Sequence, residues 1–321
     1  VKYYLKLIRW PNLIIIIITM LSIRYGVIYP LIKIYGFDLQ LSLFDFILLM
    51  FATVLIAAGG YVINDYFDRR IDMENKPDDV IVTTHIARRS VMSLHNTLTG
   101  IGLLFGFVLS YRIDQNSFSI LFIIISGALW FYSTLYKRQL LVGNILVSVL
   151  TALVPLMVML YDVPLIIAQY RPMIIQNIQL YKDIHYMMYA VLLFSGFAFL
   201  TTMSREIIKD IQDFEGDSTC QRKTVPIVWG VKIAKIIALI FLALTLVALG
   251  FIYHIFLQND LISLIYIILV LSIPILILMV LILKAHSSKD FKFCSQILKL
   301  IMVLGLLLVI PFYLYITSSM V

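Results

Sequence analysis

Charge is what this chain has least of. Only 13% of its 321 residues are Asp, Glu, Lys or Arg, while 62% are hydrophobic. A water-soluble domain carries about 25% charged and 45–50% apolar residues. A chain so poor in charge cannot cover its surface against water, so the bilayer is its solvent. Cysteine is almost missing: Cys220 and Cys294 are the only two, with no CxxC pair. The five histidines, His85, His95, His185, His254 and His286, are scattered, and none pairs at ligand spacing. A disulfide framework and a zinc site are therefore unsupported. No low-complexity linker or long internal repeat divides the chain, so one domain over residues 1–321 is expected. The net charge of +7 raises the question of nucleic acid. The basic residues lie between apolar runs, however, which is juxtamembrane placement and argues for no nucleic-acid partner. No obligate protein partner is evident.

What the chain does have is long apolar runs. A spanning helix needs about 20 mostly apolar residues, and nine runs qualify: 12–32, 43–63, 91–111, 117–136, 140–160, 185–203, 234–256, 261–283 and 294–317. Each must be helical, because a lone strand leaves backbone groups unpaired in lipid. Taking alternate sides, nineteen Lys and Arg fall with the N-terminus and four on the opposite side. That asymmetry predicts a multi-pass protein of the cell (inner) membrane with its N-terminus and long even-numbered loops in the cytoplasm. No cleavable signal peptide is expected, since Val1 to Arg9 is basic and aromatic and runs directly into the first apolar stretch. The stretch from Asp162 to Asp183, with Pro164 and Pro172, is expected outside as a surface helix. Arg24 interrupts the first span, to meet an acceptor's anionic head, to snorkel toward the interface or to pair with a neighbouring helix.

The acids are unevenly placed. Eleven of the 18 fall in two segments, those following the second and sixth spans. Asp65, Asp68 and Asp72 are spaced i, i+3, i+7, and Asp210, Asp213 and Asp217 repeat that spacing. On a helix those offsets gather three carboxylates on one face, with Asn64 beside the first trio and Glu206 beside the second. Like charges so placed repel, and a divalent cation relieves them. Mg²⁺ takes one or two carboxylates and fills its shell with water and phosphate oxygens. A single acidic run is as readily a solvated helix end; two runs with matching spacing point to a site for Mg²⁺ and a diphosphate. Lys76 and Lys209 are the candidate diphosphate contacts. Lys209 lies beside the acidic face, and Lys76 stands before Pro77, which ends the helix.

These motifs resemble the UbiA superfamily of intramembrane prenyltransferases. Asn64 to Asp72 match its NDxxDxxxD motif, and Asp213 to Asp217 its DxxxD, with Asp210 one turn earlier. Asn75-Lys76-Pro77, Gly143-Asn144 and Lys223-Thr224-Val225-Pro226 with Gly230 resemble its flanking segments. The resemblance covers essentially the whole chain. It implies an all-α integral membrane protein, nine transmembrane helices in a bundle around a central lipid-open cavity, with cytoplasmic cap loops. It also implies that Asp65, Asp68, Asp72, Asp210, Asp213 and Asp217 hold Mg²⁺ and a prenyl diphosphate, with Asn64, Lys223 and Asn144 among the substrate contacts. Where members often read NKPxRP, this chain has Asn75-Lys76-Pro77-Asp78-Asp79-Val80, an acid in place of the Arg; Arg88, Arg89 or Lys223 are the available substitutes.

The implied chemistry is ionisation first. Mg²⁺ and Lys neutralise charge building on the departing diphosphate, and a dry, aromatic pocket protects the carbocation. Nineteen Tyr and 20 Phe supply such rings, Tyr61, Tyr66 and Tyr132 among them. The lipophilic acceptor and the prenyl tail both come from the bilayer. The run from Arg205 to Asp217 is most similar to the branch that prenylates geranylgeranylglyceryl phosphate; members that prenylate hydroxybenzoate or naphthoate, the quinone precursors, carry a looser version. Arg9 and Asn12 are candidates for an acceptor's anionic head. The rival of a different class is an ion-coupled transporter, whose acids sit near the bilayer midplane rather than at the mouth.

Overall fold

The computed structural model describes residues 1–75, 78, 80–220 and 222–318. Among them, nine helices are long and apolar enough to cross a membrane. These are α2 (Trp10–Lys33), α3 (Leu43–Asn75), α4 (Arg88–Arg112), α5 (Asn116–Thr134), α6 (Val142–Gln176), α7 (Ile178–Gln212), α10 (Val231–Phe256), α11 (Leu261–Lys284) and α12 (Ser288–Ser318). Three short helices complete the set: α1 (Lys2–Leu7), α8 (Phe214–Thr219) and α9 (Val225–Val228). The nine expected spans are all present. Only 11% of the apolar window of α5 is buried within the protein and 56% of that of α3, so the solvent for the remaining apolar faces is lipid.

Two of the expected boundaries move. Residues 162 to 183 form no separate surface helix. Instead α6 runs on past Pro155, Pro164 and Pro172 to Gln176, with only Tyr170 leaving helical geometry. Asn177 then starts α7, its side chain accepting from the backbone N–H groups of Gln179 and Leu180. Proline breaks helices in water, but within a membrane bundle neighbouring groups and local adjustment compensate for its missing N–H.

The contacts divide the chain into two compact units. The first holds residues 1–18, 41–146 and 213–228. Its centre is the close packing of α3 on α4: Gly102 lies against Ile56 and the Ala52 carbonyl, and His95 of α4 bonds the Gly59 carbonyl at 2.9 Å. Small residues allow this approach, which is how helices associate where lipid supplies no hydrophobic drive. At about 1.5 Å per residue, the apolar part of α3, residues 43–63, already spans the hydrocarbon layer. The turns carrying Asn64 to Asn75 therefore project beyond it. There Leu7, Val62, Ile81, Val82, Ile86 and Val91 form a buried cluster with Tyr66 packed against it.

The second unit holds residues 19–40, 147–212 and 229–321. In it α7 packs against α10 and α12. The start of α12 is set by Ser287 and Asp290, which form a reciprocal capping box. Within α2 the segment Ile23–Ile28 is π-helical, immediately before Pro30, whose ring disturbs the preceding turn. Arg24 sits in that π-turn. It pairs with Asp162 of α6, Nε to Oδ2 at 3.2 Å, with side chains 2% and 0% exposed. Helix pairing is thus the role that Arg24 takes, and Asp162, expected outside, is its buried counter-charge.

Candidate active site

The first Asp motif lies on the unbroken final turns of α3, so its helical spacing holds. The second does not stay on one helix. α7 ends at Gln212, Asp213 leaves helical geometry at φ −96°, ψ 16°, and α8 starts at Phe214. Asp210 and Lys209 remain on the last turn of α7 in the second unit, where the Lys209 ammonium is 2.9 Å from Glu206. Asp213 and Asp217 go with α8 into the first unit.

Within that unit the two motifs meet through one guanidinium. Arg222 binds Asp68 with Nη2 and Asp217 with Nη1, the latter at 3.2 Å. Lys137, in the short turn after α5, lies 2.7 Å from the same Asp68 oxygen, Oδ1, and donates to Asn64 Oδ1 at 3.3 Å. These groups are withdrawn from water: Lys137, Asp217, Arg222 and Asp68 have side chains 4%, 3%, 12% and 13% exposed. One turn earlier, Asp65 accepts from Arg9 Nη2 at 2.8 Å, and the same guanidinium lies over the Tyr61 ring, 5.0 Å from its centre. Arg9 stands at φ +53°, a left-handed break between α1 and α2, which Pro11 follows.

Hydrogen bonds and close approaches between these elements explain why the parts register. Asn75, the last residue of α3, accepts the Gly216 N–H at 3.0 Å, and Glu74 accepts from Thr219. A Cβ at Gly216 would collide with the Asn75 side chain, so only glycine lets α8 lie this close. The Lys223 N–H donates to the Arg138 carbonyl at 3.1 Å, tying the segment after α8 to the turn that carries Lys137. A Cβ at Gly143 would stand 2.7 Å from the Lys137 Cα, so that residue too must be small.

The electrostatics follow from burial. Burial pulls the Lys137 ammonium below its ordinary value, with Asp68 opposing. Burial likewise pushes the Asp217 carboxyl up to about 6; Arg222 opposes, while Asp213 and Asp68 push the same way. For Arg222, burial works against the charge, but Asp68 and Asp217 more than offset it and hold the group above its ordinary value. Asp72 acts on the Lys137 ammonium as well.

Of the residues marked in the sequence, Asn64, Asp65, Asp68, Asp72, Asp213, Asp217 and Arg9 gather here. Asn12 follows Arg9 and donates its N–H to the Arg9 carbonyl at 2.8 Å. Asn144 is buried on the first turn of α6. Lys223 contributes its backbone, and its side chain is exposed. Lys76 lies outside the described residues. Neither Lys137 nor Arg222 is singled out by the sequence as a diphosphate contact. A lone cation in a short loop carries no spacing signal, and only the fold brings these two to Asp68.

Among the described residues no three His, Cys, Asp or Glu side chains converge as a metal cage. The donor chemistry nonetheless suits Mg²⁺, which asks for only one or two carboxylates when phosphate oxygens complete its shell. Asp68 and Asp217 already share one cation, the Arg222 guanidinium. Arg222 Nε and Thr224 Oγ1 are buried with no hydrogen-bond partner among the described residues, which suits an anion arriving beside them.

Residues 33–304 match the model of the UbiA prenyltransferase family. A digeranylgeranylglyceryl phosphate synthase from Methanobrevibacter smithii is 31% identical over 300 residues, covering 92% of each chain. Among solved structures, one of digeranylgeranylglyceryl phosphate synthase superposes with a TM-score of 0.63 at 26% identity, covering 99% of this chain and 98% of the other. A UbiA homologue from Archaeoglobus fulgidus, bound to DMAPP and Mg²⁺, shares the fold at a TM-score of 0.53 and 16% identity, covering 95% and 98%.

Proposed function

Since this chain belongs to the UbiA prenyltransferase family, we propose that it moves a geranylgeranyl group from geranylgeranyl diphosphate to the free hydroxyl of geranylgeranylglyceryl phosphate. The allylic C–O bond breaks, diphosphate leaves with the bonding electrons, and the acceptor oxygen forms an ether bond to the freed carbon and loses its proton. The observation that carries this reading is the junction of the two Asp motifs at Arg222. The names of the relatives support the choice of acceptor.

Asp68 and Asp217 are the foremost candidates to hold Mg²⁺, with Asp65, Asp72 and Asp213 close along the same two elements. When bound, the ion supplies positive charge to the leaving diphosphate. Lys137 and Arg222 add N–H donors at the same place, where burial strengthens each interaction relative to water. Asn64 holds the Lys137 ammonium in position. One face of the Tyr61 ring is occupied by Arg9, and Arg88 lies over Tyr66 at 4.6 Å. These two rings therefore orient cations of the protein itself. The basic surplus around the loops supports a cytoplasmic position for this face.

The test is a panel of acceptors with purified protein, labelled geranylgeranyl diphosphate and Mg²⁺, with products read by mass. Geranylgeranylglyceryl phosphate is expected to be prenylated, and hydroxybenzoate and naphthoate are not. Activity should vanish with EDTA and return with Mg²⁺. Prenylation of an aromatic acid in preference to the glycerophosphate would reject the acceptor assignment.

A further inference from the structure

At the opposite end of α7 from Lys209 lies a cavity of about 420 Å³, within the usual range of small-ligand pockets of about 300–1,000 Å³. It is formed where the ends of α2, α10 and α12 meet the start of α7, all within the second unit. Asp183 and Lys209 are separated by about 40 Å along that helix at 1.5 Å per residue, so the cavity is not part of the acidic end of α7.

Its polar lining combines three phenol oxygens and the Asp183 carboxylate with the side-chain amides of Gln258 and Asn259. The Tyr35 hydroxyl donates to Asp183, the Tyr186 hydroxyl to the Ile255 carbonyl, and the Tyr315 hydroxyl to the Gln258 carbonyl. A phenol has one proton, so each of these oxygens can now only accept. Asp183 receives a second bond from Gln179 Nε2 at 3.0 Å, and among the described residues no basic side chain pairs with it. Lys33, the nearest cation in sequence to Tyr35, is engaged by Asp38 at 2.7 Å. Burial first, and then Asp183, pushes the Tyr35 phenol up to about 12, so its proton stays in this bond. The remaining wall is aromatic: Tyr186 and Phe256 lie with ring centres 4.3 Å apart, and Phe312 is 6.2 Å from Phe256.

We propose that this cavity binds a primary alkylammonium group, seated on the Tyr186, Phe256 and Phe312 rings with its N–H groups directed to Asp183 and the phenol oxygens. Phenol oxygens whose protons are already committed, together with a carboxylate, select a ligand that brings donors. A carboxylate with no basic partner among the described residues selects positive charge, and ring faces favour a cation over a neutral group of equal size. The chemistry is shared by a soluble amine and by the head group of an aminophospholipid. The site is independent of prenyl transfer.

The experiment uses the full chain purified in detergent and titrated with hexylammonium chloride, with hexan-1-ol as the neutral counterpart, followed by thermal shift and calorimetry. Saturable binding of hexylammonium is expected, at least tenfold weaker in Asp183→Asn and in Tyr186→Leu, with hexanol at least tenfold weaker in the wild type. In nanodiscs, retention of phosphatidylethanolamine over phosphatidylglycerol, read by native mass spectrometry, would identify the lipid head group as the source. Binding in detergent without such retention would identify a free amine. Equal binding of hexanol, unchanged affinity in both variants, or no binding in either arm would overturn the proposal.

Discussion

Asp68→Asn is the sharpest perturbation of the site, because it keeps the shape of the side chain and removes its charge. Asp68 Oδ1 is shared by Lys137, at 2.7 Å, and Arg222, and all three side chains are at most 13% exposed. At that distance and an effective dielectric near 20, the Lys137 pair has a gross attraction of about 6 kcal/mol. Most of this is offset by the desolvation of both ions, so the net cost is better taken from single-partner removals in buried pairs, about 3–5 kcal/mol. Asparagine retains one acceptor oxygen, which places the expected loss near the lower end, about 3 kcal/mol. The catalytic loss has a separate origin. Removing one fixed group that serves a developing charge typically lowers turnover by about 10²–10³. Both readings come from one preparation: thermal melting in detergent, and labelled prenyl transfer at saturating Mg²⁺. Wild-type protein should also be stabilised by Mg²⁺ with diphosphate, by about 2.7 kcal/mol at a ligand concentration one hundred times Kd. The variant should lose most of that gain. Turnover within about threefold of wild type, with the gain from Mg²⁺ and diphosphate intact, would refute the assignment of Asp68.

Three further outcomes follow from the same geometry. Lys137→Met should lower turnover by about 10²–10³ while leaving Asp68 paired with Arg222; a steady-state assay showing wild-type kcat would remove Lys137 from the machinery. Gly216→Val should push α8 away from Asn75, costing about 1–3 kcal/mol in melting experiments and raising KM for the prenyl diphosphate; an unchanged KM would show that this close approach does not position the second motif. Asp162→Leu should cost about 3–5 kcal/mol by leaving Arg24 charged and buried, and the double variant Arg24→Met with Asp162→Leu should recover most of it. A double variant as unstable as the single would mean that the pair is not the reason for the loss.

The membrane class, the nine spans and the first acidic motif were legible in the linear chain because each depends on local pattern. Length and hydropathy decide whether a helix crosses lipid, and three carboxylates at i, i+3 and i+7 share a face wherever the helix is continuous. α3 is continuous, so Asp65, Asp68 and Asp72 stand as their spacing implies. The second trio shows where that reasoning stops. Asp213 ends one helix instead of extending it, and its partners in the sequence are divided between α7 and α8. The end of the fifth span was not legible either, since α6 continues past Pro155, Pro164 and Pro172 to Gln176, with only Tyr170 leaving helical geometry.

Sequence alone therefore determined the solvent of this protein, the number of its crossings and the acidic side chains available for chemistry, because composition and periodicity act at short range. Tertiary structure alone decided which cations those acids meet: Lys137 and Arg222 at Asp68, and Arg24 at Asp162. Ion pairs between residues far apart in the chain leave no periodic trace, and their partners are chosen by helix packing rather than by neighbours along the backbone.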